Sequence, residues 1–208
     1  MKPIAALFLA TAILASAGCL HSPSSLIHRP KDVAMDEAVT ARWAAEVRRH
    51  ARHGDWLLTR SYTQLSDAIV QLTPGDDFSH GSIYDAERDM IIEAIDTGVR
   101  EIPLERLMKR TDDVMIVRAN VSDAERARAV ERARSKIGTP YDTRGLFGIQ
   151  DPDKFYCSEL VLWSIDSRMG DEIVVTPADL IKYGRTVWYS GTRADSVRII
   201  RKERMAKR

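Results

Sequence analysis

Apolar residues recur at every fourth position through Met35, Val39, Trp43 and Val47, with Arg42, Glu46, Arg48 and Arg49 between them. That spacing predicts a helix over residues 35–52 that buries one face. Gly54 breaks it, and Asp55-Trp56-Leu57-Leu58-Thr59-Arg60 reads as a strand. Turn chemistry at Thr73-Pro74-Gly75-Asp76-Asp77 precedes three segments rich in β-branched or aromatic residues, 78–85, 90–96 and 114–119. These read as successive antiparallel strands, the first two joined by a short charged hairpin connection over residues 85–89. Ser122 or Asp123 caps the next predicted helix, with Ala127, Val130, Ala133 and Ile137 as its buried stripe, before Gly138 and Pro140 end it. Residues 139–154 are glycine- and aspartate-rich without periodicity, and a loop of that length in a compact domain usually serves function. A last helix is predicted over residues 156–169, with Cys157, Leu160, Val161, Ser164 and Ile165 on the side facing the strands. Helix, strands, helix, loop and helix in this order indicate an α+β domain with a central antiparallel sheet.

The first residues have a different pattern. Lys2, an apolar stretch from Ile4 to Leu14 and the small residues Ala15, Ser16, Ala17 and Gly18 have the layout of an export signal. The apolar stretch falls short of the roughly 20 residues a transmembrane helix needs. Residues 1–18 are therefore expected to be a signal peptide, residues 19–31 a serine- and proline-rich tether, and residues 32–208 one domain. Ser16-Ala17-Gly18-Cys19 resembles a lipobox, which implies a lipidated Cys19 and a bacterial envelope protein, with Leu20 favouring the periplasmic face of the outer membrane. Ala15-Ser16-Ala17 also fits ordinary signal cleavage, which implies a secreted or periplasmic soluble protein.

Charge narrows the partners. The chain has 31 Lys and Arg against 30 Asp and Glu; removing Lys2 with the leader leaves 30 against 30, so there is no global field for nucleic acid. At the C-terminus, Arg198, Arg201, Lys202, Arg204, Lys207 and Arg208 face only Glu203, and this segment is expected to be a solvated, frayed end. There is no glycine-rich phosphate loop or paired-cysteine spacing, and His21 and His28 lie in the tether, so no metal and no cofactor are expected.

Cys157 stands in the first predicted turn of its helix, within Phe155-Tyr156-Cys157-Ser158-Glu159-Leu160. The positive end of a helix dipole favours thiolate there. A cysteine hydrolase also needs a base and a group that orients the imidazole. His80, in Phe78-Ser79-His80-Gly81-Ser82-Ile83-Tyr84, is the histidine of the predicted sheet. Glu93 interrupts the apolar strand Met90-Ile91-Ile92-Glu93-Ala94-Ile95 and must be paired if buried. Across the hairpin it can approach His80. Taken singly, each has a plainer reading as a buried small thiol, a core histidine and an edge carboxylate. Tyr156, Tyr62 and Asp55 are candidates to line the site.

With Gly54-Asp55-Trp56-Leu57-Leu58 and Gly138-Thr139-Pro140-Tyr141-Asp142, these motifs resemble the YiiX-like branch of the NlpC-type cysteine hydrolases, which is also similar to the lecithin-retinol acyltransferase group. The resemblance implies a circularly permuted papain-like fold, its central antiparallel sheet a partial barrel packed against helices. It carries nucleophile onto Cys157, base onto His80 and orientation of the imidazole onto Glu93, in the order histidine, third residue, cysteine. The expected substrate is an amide or peptide bond, most simply in peptidoglycan peptides. Two alternatives remain: a lipid-directed thioesterase or acyltransferase, and a non-catalytic envelope-binding module of the same fold.

Overall fold

A computed structural model describes residues 27–72, 77–166 and 174–207. The expected signal peptide, Cys19, most of the tether and four residues of the turn at 73–77 lie outside them.

Helix α1, Val33–His50, is capped by the Asp32 carboxylate, which accepts from the Met35 amide at 3.1 Å. Its Met35, Val39, Trp43 and Val47 are all buried, as the four-residue spacing predicts. Strands β1, Trp56–Ser61, β2, His80–Asp85, β3, Met90–Ile95, β4, Gly98–Pro103, β5, Thr111–Ala119, and β6, Gly184–Tyr189, form one antiparallel sheet in the order β4-β3-β2-β1-β5-β6. The α+β class with helices against a central antiparallel sheet therefore holds. Helices α4, Asp123–Arg134, and α5, Cys157–Ser164, cover one face, where Leu58, Ile83, Ile92 and Val117 meet Val130, Ala133 and Val161. On the other face, Leu57, Ile91, Val114 and Ile116 pack against α1, α3, Leu104–Lys109, and α6, Arg193–Ala206. Alternation along the inner strands produces these two apolar faces, so the sheet is buried on both sides except along its edge strand β6.

Four expectations change. The stripe of α4 is Ala129, Val130 and Ala133 together with Arg126, whereas Ala127 is exposed and Ile137, which lies beyond the helix end at Arg134, is 44% exposed. Helix α5 is shorter than read, ending at Ser164. The basic C-terminus is the helix α6, not a frayed end: Thr192 and Asp195 form a capping box, and Val197 and Ile200 pack with α1. Arg198, Arg201, Lys202 and Arg204 are nevertheless exposed on it. Helix α2, Gln64–Leu72, was not anticipated between β1 and β2.

Candidate active site

The site forms where β1 ends and β2 begins. Register sets Thr59 opposite His80 and Leu58 opposite Gly81, so His80 stands on the last rung of that ladder. Gly81 follows at the next position. A Cβ there would stand 2.9 Å from Leu180 Cδ1 and 3.7 Å from Val161 Cγ2. Helix α5 packs against β2, and Cys157, its first residue, hydrogen-bonds His80. Cys157 and His80 are both buried, yet both line a cavity of about 320 Å³.

His80 Nε2 meets Glu93 Oε2 at 2.8 Å, which leaves Nδ1 as the ring nitrogen for the sulfur. Glu93 is fully buried, as its place among apolar residues demands, and it does not rely on His80 alone. Its cross-strand neighbour Arg100 donates to Oε1 at 2.9 Å, and Arg110, at the end of α3, donates to Oε2. Burial raises the Glu93 carboxyl, but hydrogen bonding to His80 and the charges of His80 and Arg110 outweigh it and bring it down to about 2. For His80, burial opposes the proton; hydrogen bonds to Cys157 and Glu93 overcome that and carry it up to about 9. Burial likewise raises the Cys157 thiol, and the His80 hydrogen bond, the imidazolium charge and the Gly81 backbone bring it below its ordinary value. Both directions favour the thiolate–imidazolium pair over the neutral pair. Such a pair can attack an acyl carbon and return a proton to the leaving group.

The structure brings Cys157, His80 and Glu93 together. The three expected lining residues fall in different places. Tyr62 lines the cavity and donates to Asp112 Oδ1 at 2.7 Å. Tyr156 is buried behind Cys157, its hydroxyl accepting from the Val175 amide at 3.0 Å, and does not line the cavity. Asp55 does not line it either. It is wholly buried before β1, where it pairs with Arg118 at 2.6 Å and accepts from the Arg52 amide at 2.8 Å. Because Ser61 and Tyr62 line the cavity at the other end of that six-residue strand, Asp55 stands roughly 20 Å away. Among the described residues no three His, Cys, Asp or Glu side chains converge as a metal site.

Residues 50–178 match the family described as permuted papain-like amidase enzyme, YaeF/YiiX, C92 family. The chain belongs to that family. The permuted papain-like fold follows, and with it the activity class of a cysteine hydrolase. YiiX from Escherichia coli O157:H7, a solved structure described as a metalloprotein, is similar at 24% identity and a TM-score of 0.48, covering 58% of this chain and 68% of that one. No curated protein matches.

Sequence reasoning missed Arg100 and Arg110. In this C92 chain a buried strand carboxylate announced that it needed a partner, but nothing local singled out these two cations among 31. It also missed Thr63, Leu65, Ser66 and Ile69 of the α2 region, which form a wall of the cavity. The strong amphipathicity of residues 64–72 was the available signal for that helix.

Proposed function

We propose that this chain is an exported cysteine amidase that cleaves amide bonds of cell-wall peptides through an acyl-enzyme on Cys157. The observation that carries the reading is the hydrogen-bonded chain Glu93, His80, Cys157 opening on a cavity. The Cys157 sulfur attacks the amide carbonyl carbon, and the N–H of Cys157 at the start of α5 stabilises the oxyanion. His80 then donates its proton to the leaving nitrogen as the C–N bond breaks, giving a thioester and a free amine. Next, His80 takes a proton from water, whose oxygen attacks the thioester, and the proton passes to the departing sulfur. Glu93 holds the ring through both steps.

A second reading, a lipid-directed thioesterase or acyltransferase on the same Cys157, is favoured by the apolar wall of Leu65, Ile69, Ala94 and Ile95. Incubation with purified muropeptides and with acyl-thioester probes separates the two. Muropeptide cleavage that disappears in Cys157→Ala is expected; turnover of acyl probes alone would reverse the ranking. Lipidation at Cys19 and a short tether would keep the cavity close to a bacterial membrane.

A further inference from the structure

The charge around Glu93 does not balance. Arg100 and Arg110 bring two positive charges to one carboxylate, while the Cys157–His80 pair is neutral overall in either proton arrangement. One positive charge remains. It is not shared evenly, because Arg110 lines the cavity with Cys157 and Arg100 does not. Arg110 reaches Glu93 through Nη2, on the oxygen that His80 also uses, and its buried Nε has no hydrogen-bond partner among the described residues. Burial, joined by the charges of Arg100 and Arg106, outweighs Glu93 and pushes the Arg110 guanidinium below its ordinary value. Asp96, a carboxylate of the cavity wall, is exposed and makes no hydrogen bond to Arg110. The Arg110 side chain is 30% exposed, so an anion entering the cavity would meet its charge.

We infer that Arg110 is the recognition group for a free carboxylate on the substrate, close to the scissile amide, so that the enzyme selects carboxylate-bearing peptides over neutral amides. The inference rests on Cys157 being the nucleophile, and it narrows the substrate class. A neutral amide leaves the excess charge in place, whereas a carboxylate neutralises it. Recognition is therefore expected to discriminate between an acid and its carboxamide at otherwise identical shape.

Alkylation of Cys157 tests this without requiring a known substrate. Iodoacetate and iodoacetamide differ in one charge, and both transfer a carbon to the sulfur with loss of iodide. The imidazolium of His80 attracts iodoacetate in every variant, so the ratio of the two rates is compared across variants. In Arg110→Gln that ratio should fall about tenfold, the loss of one charge-assisted contact. Arg100→Gln removes charge from the same carboxylate but from outside the cavity, and should shift both rates together with the ratio held. Equal ratios in the two variants would mean that Arg110 acts only by holding Glu93, and the subsite would be abandoned. A second measurement uses the unaltered protein: N-acetylglycine should protect Cys157 from iodoacetamide at about one tenth the concentration that N-acetylglycinamide requires. Equal protection also overturns the inference, whatever the variants do. A Cys157 inert to both reagents at neutral pH would instead remove the proposed hydrolase mechanism, and this subsite with it.

Discussion

Glu93→Gln separates the two duties of the buried carboxylate, holding His80 and neutralising two arginines. The amide keeps the shape and one acceptor oxygen but turns an NH₂ toward groups that are themselves donors. Replacing a charge-assisted contact to His80 removes about 1.5–3 kcal/mol. At about 1.4 kcal/mol per unit, the imidazolium falls by one to two pKa units from about 9, and the uncompensated Arg100 and Arg110 lower it further. The thiolate–imidazolium pair thus loses roughly 10- to 100-fold against the neutral pair. Stability falls too. Removing one partner of a buried ion pair costs about 3–5 kcal/mol, and with both arginine side chains 30% exposed, screening places the loss near the lower end, about 3 kcal/mol. For a chain of this length that is a Tm lower by about 6–12 °C. The sign with pH is defined. His80 is raised in the folded state, so its contribution is full below the ordinary histidine value and is lost as pH rises through about 9. Glu93 is depressed, so its contribution is full above the ordinary carboxylate value and is lost as pH falls toward 2. Iodoacetamide rates measured across roughly pH 4–10 read the pair directly. Wild type should react well below the ordinary thiol value of about 8.5, and Glu93→Gln should recover reactivity only toward it. Superimposable profiles would refute the reasoning.

Three further outcomes follow from particular contacts. Arg193 is fully buried, pairs with Asp36 at 2.8 Å, donates to the Thr111 carbonyl at 2.9 Å and lies over the Trp43 ring, so Arg193→Met should cost about 3–5 kcal/mol in urea unfolding; a loss under about 1 kcal/mol would show that it does not tie α6 to α1. Gly54 has φ of +80° and a Cβ there would stand 2.5 Å from the Arg126 carbonyl oxygen, so Gly54→Ala should destabilise by about 2 kcal/mol or more, read as a lower urea midpoint at unchanged slope. Cys19→Ala should move the protein from the membrane fraction to a soluble envelope fraction; a wild type already soluble would exclude the lipid anchor.

Much of the site was legible because its signals are local. A cysteine in the first turn of a helix, a histidine in a strand and a carboxylate inside an apolar strand are each defined by periods of 3.6 and 2 within about ten residues. The same periods placed α1, the strands from β1 to β3 and most of β5, and hence the α+β class. What tertiary structure alone decided depends on register and on long connections. Glu93 recruits Arg100 through the β3–β4 ladder and Arg110 across the end of α3, choices made by pairing rather than by pattern. Asp55 has the same composition signature as a site carboxylate, yet it binds Arg118, which pairing of β1 with β5 carries to it from 63 residues along the chain. The basic run after Arg198 looks like a solvated tail until Val197 and Ile200 find α1 to pack on, because a helix with few apolar positions gains its stability from the surface it meets.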